Sequence, residues 1–308
     1  VLIRKCDINI GNTDWTSSAG TDSLNSEWIV LVNEDWSDIG QHTNTCQSSA
    51  QMTYVPDDNF ENYLEANGMG DGIALNDSVL TSNINAVTSL DVSNQNIADL
   101  TGIEDFTALT VLFCQINQLT SLDVSQNTAL NTLFCGDELG GNQLTSLDVS
   151  QNTALTNLSC GDNQITSLDI SNNTALIDLH CGINQLTSLD VSNNTALTGL
   201  TSGGNPLTSL NVSQNTALTH LYCNQNQLTS LNVSNNTALV DLRCNNNLLT
   251  SLNLNNNTDL IKLLCNDNQL TSLNVNQNTA LTMLYCFDNQ LTSLDVSANI
   301  FLTEFYCS

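Results

Sequence analysis

From Val87 onward, apolar residues return to the same places in a recurring phrase. Val87-Thr-Ser-Leu90-Asp-Val92 is followed by Leu119-Thr-Ser-Leu122-Asp-Val124, and near copies run through Leu291-Thr-Ser-Leu294-Asp-Val296. From Leu119 the phrase returns every 21 residues, apart from one four-residue insertion at Glu138 to Gly141. A second phrase alternates with it, as Leu130-x-x-Leu133-x-Cys135 precedes Leu144-x-x-Leu147-x-Val149. Alternation of the L-x-C or L-x-V kind suits a short strand with one buried face and a like neighbour one coil along. Two such strands per coil predict a β-rich solenoid with two parallel sheets, of about ten coils over residues 87–308. Each phrase is trailed by an Asn, such as Asn142 and Asn152, where the chain must turn. There the side-chain amide can satisfy backbone groups inside the bend.

The chain ahead of the array has a different pattern. Residues 53–86 read as a helical N-terminal cap: Pro56 at a helix start, Asp57 and Asp58 at the positive end of the dipole, Phe60, Tyr63 and Leu64 as an apolar stripe, and Gly68 as the stop. Residues 1–52 lack the repeat but hold all three Trp (Trp15, Trp28, Trp36) and the strand-forming run Glu27 to Val32. They read as a small β segment whose Trp residues are either its core or a carbohydrate platform.

At Leu109 to Leu119 the phrase L-x-x-L-x-C-x-x-N-x-L resembles the leucine-rich repeat, with Cys where many members carry Leu. The whole unit is similar to the 21-residue bacterial class that nests two such phrases, and Leu90 to Phe106 resembles the longer internalin-type repeat. Val55-Pro-Asp-Asp-Asn-Phe60 resembles the segment opening such arrays in surface proteins of Bacteroidetes and flavobacteria. The resemblance implies a leucine-rich repeat solenoid, a secreted or cell-surface location, and adhesion through protein or surface-glycan contacts. Asp22-Ser23-Leu24 and Asp77-Ser78-Val79 resemble the Bacteroidetes Asp-Ser/Thr-apolar O-glycosylation signal, making Ser23 and Ser78 candidate sites.

Charge narrows the partners. Four Lys plus Arg against 31 Asp plus Glu give a net charge of −27, which argues against nucleic acid and anionic lipid. No apolar run reaches the roughly 20 residues of a membrane helix, so membrane insertion is not expected. Val1 follows no signal peptide, and the chain reads as a mature or excised product.

Nine cysteines share one repeat position, Cys114, Cys135, Cys160, Cys181, Cys223, Cys244, Cys265, Cys286 and Cys307, with Ser202 as the replacement. In-register strands would hold them about 4.8 Å apart, beyond the Cβ separation of about 3.8 Å in a disulfide. Free, buried thiols acting as small apolar residues are expected, and no metal. Cys6 and Cys46 stand outside the array as the candidate disulfide pair. The acidic loop Asp71 to Asp77 has a partial likeness to a calcium loop without the alternating oxygens of an EF-hand. No cofactor is expected, calcium being the one alternative.

The two strand faces differ. Outward on the L-x-V strands stand Asp91, Asp123, Asp148, Asp169, Asp190 and Asp295, with Asn211, Asn232, Asn253 and Asn274 between. Such a ladder repels itself unless cations or Asn relieve it. The L-x-C strands instead vary outward, presenting Phe113, Phe134, His180, His220, Tyr222, Arg243, Leu264 and Tyr285. Aromatics and Arg of this kind suit a partner-binding stripe. No His/Glu metal pair or phosphate loop is present, and a non-catalytic protein is expected. Phe301, Leu302, Phe305 and Tyr306 make the last coil strongly aromatic, which points to an alternative role as a subunit that stacks head to tail into a fibre.

Overall fold

The computed structural model describes residues 2–4, 28–30 and 50–307, divided into the compact units Val1–Gln51 and Met52–Ser308. In the first unit, β1 (Leu2–Arg4) and β2 (Trp28–Val30) pair antiparallel, with Ile3 opposite Ile29. The proposed Cys6–Cys46 disulfide, Ser23 and the Trp platform lie outside the described residues and side chains.

The second unit opens with β3 (Met52–Tyr54), helix α1 (Asp58–Ala66), β4 (Ser78–Leu80) and the single-turn helix α2 (Thr81–Ile84). Asp57 caps α1: one carboxylate oxygen accepts from the N–H groups of Asn59 and Phe60 at 2.9 and 3.0 Å. Its other oxygen accepts from Ala98 N–H at 2.7 Å, which ties the helix to the first coil. Phe60 completes that junction, stacking on Phe106 with ring centroids 6.3 Å apart. The acidic loop folds around its own carboxylates. Buried Glu61 accepts from the N–H groups of Asn76 and Asp77, and Glu65 from those of Asp71 and Gly72. Ser78, the second candidate glycosylation site, begins β4 and pairs with Tyr54 across the β3–β4 ribbon.

One parallel sheet of eleven strands runs the length of the array. Its strands are β5 (Ser89–Asp91), β6 (Val111–Phe113), β7 (Thr132–Gly136), β8 (Asn157–Cys160), β9 (Asp178–His180) and β10 (Gly199–Thr201). They continue as β11 (His220–Tyr222), β12 (Asp241–Arg243), β13 (Lys262–Leu264), β14 (Met283–Tyr285) and β15 (Glu304–Tyr306). Leu200, Leu221, Leu242 and Leu263 sit in register, each with its side chain in the core. The insertion after β7 shifts the register between Phe134 and Gly136 and then recovers it at β8.

The expected second sheet does not form. The L-x-V phrases supply only β5 and one bridge, Asp123 to Asp148. In this row the outward Asp or Asn accepts the N–H two residues on, as Asp169 does from Ser171 at 2.9 Å and Asn211 from Ser213 at 3.0 Å, and as Asp91, Asp123 and Asp148 also do where β5 and the bridge form. The bond closes a local turn at each coil. The carboxylates are thereby used locally; those of Asp123, Asp148, Asp169 and Asp190 are held below their ordinary range chiefly by bonds from Ser125, Ser150, Ser171 and Ser192.

Asparagine adds coil-to-coil bonds in two ladders. In one, Asn205 accepts from Leu186 N–H at 3.0 Å and donates to the carbonyls of Cys181 and Ser202 at 3.1 Å. In the other, fully buried Asn215 donates to the carbonyls of Val191 and Asn194 at 2.8 and 2.9 Å. The amide oxygens of this second ladder find no partner among the described residues. Between the ladders run the thiols. Eight are free and buried, as expected, but Cys307 on the outermost coil is exposed, since no described coil covers it. Burial pushes the thiols of Cys114, Cys160 and Cys223 up to about 12.

Candidate functional site

The outward stripe is one continuous surface because the strands present their first and third residues on the same side, around a middle Leu that is buried from β5 to β14. Phe113 and Phe134 meet edge to face at 5.1 Å on adjacent strands. Two coils past β9, His220 is exposed, its ring 6.3 Å from that of Tyr222. Tyr222 donates its hydroxyl to Asp241 Oδ2 at 3.0 Å, while the Arg243 guanidinium lies 4.1 Å over the Tyr222 ring. Arg243 in turn donates to both Asp241 oxygens, at 3.3 and 3.1 Å. These contacts cover Asp241, which the alternation assigns to the surface and which is only 4% exposed. Burial and the Asp241 charge push the Tyr222 phenol up. The hydrogen bond to Asp241 does the same for Arg243.

Between β7 and β11 the stripe sinks into a cavity of about 340 Å³. Phe134, His180, His220 and Tyr222 line it together with Ser159, Asp178 and Gly199. It exists because small residues occupy consecutive coils, and His180 leans away over Gly161, where a Cβ would collide with its ring. Ser159 donates to the Gly136 carbonyl at 2.5 Å, which turns its lone pairs toward His180 Nδ1 at 3.2 Å. That arrangement selects the Nδ1–H tautomer. Burial holds the imidazole below its ordinary value of 6.5, and the nearby Glu138 and Asp137 carboxylates pull the other way. One of these acids, Glu138, belongs to the insertion, and Asp137 directly precedes it.

The structure thus gathers Phe134, His180, His220, Tyr222 and Arg243, with Phe113 beside them. Leu264 and Tyr285 stand farther along the same face. Tyr285 meets Tyr306 edge to face at 4.8 Å and donates its hydroxyl to Glu304 at 2.8 Å, forming a separate aromatic group with the last coil. Phe301, Phe305 and Tyr306 are exposed there. Sequence reasoning missed Ser159, Gly199 and Thr201, and passed over Asp178 as a site residue. The available signal was a run of small residues on neighbouring coils of a stripe otherwise large and aromatic.

An eleven-stranded parallel sheet with one short strand per coil, closed by asparagine ladders, defines a leucine-rich repeat solenoid. No family model matches the chain. Internalin J of Listeria monocytogenes serotype 4b is 39% identical over 123 residues, which is 39% of this chain and 13% of that protein. The solved functional domain of InlJ from Listeria monocytogenes, described as including a cysteine ladder, superposes with a TM-score of 0.77 at 42% identity, covering 82% of this chain and 56% of that one. The internalin inlF of the same species gives 0.67 at 26% identity and 82% of each chain. The chain therefore spans little more than half of the InlJ domain and a small part of internalin J. These likenesses support a bacterial leucine-rich repeat protein, and no helix among the described residues is long and apolar enough to cross a membrane.

Proposed function

We propose that this chain is the recognition segment of a secreted or cell-surface bacterial protein of adhesion type, binding a partner protein through the sheet face from Phe113 to Tyr285. The observation that carries the reading is the cavity-bearing aromatic patch on a face whose side chains, apart from Asp241 and its partners, do little to hold the coils together. The internalin likeness and the charge of −27 support an extracellular setting. The 21-residue register from β8 onward supports the nested repeat class, and the Val55 to Phe60 opening a Bacteroidetes or flavobacterial type.

Labelled protein is applied to arrays of cell-surface and secreted proteins and of glycans. A Phe134→Ser, His220→Ala, Tyr222→Ala variant should lose the hits; replacing Asp148, Asp169 and Asp190 by Ala should not. The reverse pattern would move the site to the opposite face. Hits confined to glycans would make a surface glycan the ligand. A second reading, head-to-tail association, draws on the exposure of Phe301 at 62%, Phe305 at 40% and Tyr306 at 56%, beside half-buried Leu302. Sedimentation of the chain against a Phe305→Asp, Tyr306→Lys variant decides it: concentration-dependent growth in the first alone supports a fibre.

A further inference from the structure

Within this one chain the same register position carries an aspartate twice, with different fates. Successive strand pairings align Asp178, Gly199, His220 and Asp241. At Asp241 the space above the carboxylate is filled from within: Tyr222 reaches it from the preceding coil, and Arg243 from two residues on. At Asp178 the corresponding positions hold Ser159 and His180. Ser159 is too short to reach across, and His180 is engaged with Ser159. The volume that Tyr222 and Arg243 take at one site is open at the other, and it forms the cavity.

Asp178 is exposed and pairs with no cation among the described residues, where the one ion pair found is Arg243 with Asp241. Its carboxylate leans across Gly199, since a Cβ there would run into Asp178 Oδ1. Aromatic rings from Phe134 and Tyr222 and two imidazoles line the same space. Glu138 of the insertion and Asp137 just before it act electrostatically on His180, and Glu138 also on Tyr222. A site with one unpaired carboxylate, π faces and a negative field accepts a cation, and a planar one suits it best. A guanidinium can both fork onto a carboxylate and stack on a ring, which an ammonium cannot do.

We propose that the cavity at Asp178 receives an arginine side chain of a basic partner, reproducing between two molecules the Asp241–Arg243–Tyr222 cluster that the chain builds within itself. The cavity volume, about 340 Å³, is at the small end of the roughly 300–1,000 Å³ of ligand sites, which fits one side chain better than a drug-sized molecule. The net charge of −27 steers such a partner inward at low salt.

This proposal rests on the sheet face being the recognition surface, and its test separates the two. Amide resonances of the full chain are followed while N-acetyl-arginine methylamide is added, with the uncharged citrulline analogue and the lysine analogue as controls. Saturable shifts at Ser159, Gly199 and Tyr222 are expected with arginine. Asp178→Asn should weaken them about tenfold, and 0.5 M salt should weaken them further; citrulline should leave the spectrum unchanged. Gly199→Leu, which pushes Asp178 aside, should abolish them with the fold retained by circular dichroism. Equal shifts from citrulline, shifts centred elsewhere, no saturable shift, or an Asp178→Asn protein that binds arginine as well as the parent would each overturn the assignment. If Asp178→Asn leaves array binding intact while the Phe134, His220, Tyr222 variant loses it, the arginine site fails and the recognition face stands.

Discussion

On the sheet side, the backbone joins coil to coil by itself: Cys223 N–H donates to Arg243 O and Cys244 N–H to Leu264 O, both at 2.8 Å. On the opposite side, the outward residue has a structural task, as Asn232 accepts from Ser234 N–H at 3.0 Å and Asp190 from Ser192 N–H at 2.9 Å. The first face can therefore carry Phe, His, Tyr or Gly, whereas the second is confined to Asp and Asn. Variation collects where the backbone has already completed its bonds. That difference makes the sheet side available for recognition without cost to the fold.

The shared core sets the largest effect. Cys114, Cys135, Cys160, Cys181, Cys223, Cys244 and Cys265 are fully buried, and burial raises every one of their pKa values above the ordinary 9.0. A raised folded-state value means that stability is complete below pH 9 and is lost as pH climbs through the window toward 12. Each thiol accounts for about 1.4 kcal/mol per pH unit there, so seven give on the order of 10 kcal/mol per unit. Melting curves between pH 8 and 10.5 should collapse steeply. Replacing Cys160, Cys181, Cys223 and Cys244 by Ala should flatten the slope by about half; an unchanged slope would mean that the thiols are not what titrates.

Next comes the buried ladder. Asn215→Ala removes one of two donors from each of the Val191 and Asn194 carbonyls, which keep the N–H groups of Asn194 and Leu197, and urea titration should show about 1–3 kcal/mol lost. At the corner joining the two faces, Ile183 holds φ at 53°, a left-handed conformation that a β-branched residue resists. Ile183→Asn should stabilise by about 1 kcal/mol; Gly204 occupies the equivalent position one coil on, with φ at 69°. Smallest of all should be the surface pair. Asn232→Ala should cost up to about 1 kcal/mol through its turn, and His220→Ala less than about 0.5 kcal/mol. Similar losses in both would erase the distinction between the faces.

Much of this fold was legible in the chain. The Leu spacing gave the coils and the core, Cys spacing gave separate thiols, and Asp57 at a helix start gave the cap. The second sheet was misread because L-x-V alternation looks like L-x-C alternation. What separates them is the backbone bonding between coils, since Cys223 N–H reaches Arg243 O on the L-x-C side while no second sheet forms along the L-x-V side, and spacing does not reveal that. For the candidate site, the large stripe residues could be named, since aromatics stand out. The cavity could not, because it is made by Ser159 and Gly199, whose significance is the space they leave. Alternation points Asp241 outward, yet its burial depends on Tyr222 from the preceding coil, a partner 19 residues away in sequence.

The central claim, that the sheet side is spare for recognition while the opposite side is committed to folding, is tested most directly by a saturation scan of one coil. Every substitution from Leu218 to Leu239 is displayed and scored by protease resistance, with no ligand involved. The expected profile has His220 accepting nearly all residues, Tyr222 restricted only as the cover of Asp241, Asn232 accepting little beyond Asp, and Leu221, Cys223, Asn226, Leu228, Val233 and Asn236 accepting almost none. A profile in which His220 is as restricted as Asn232 would contradict it.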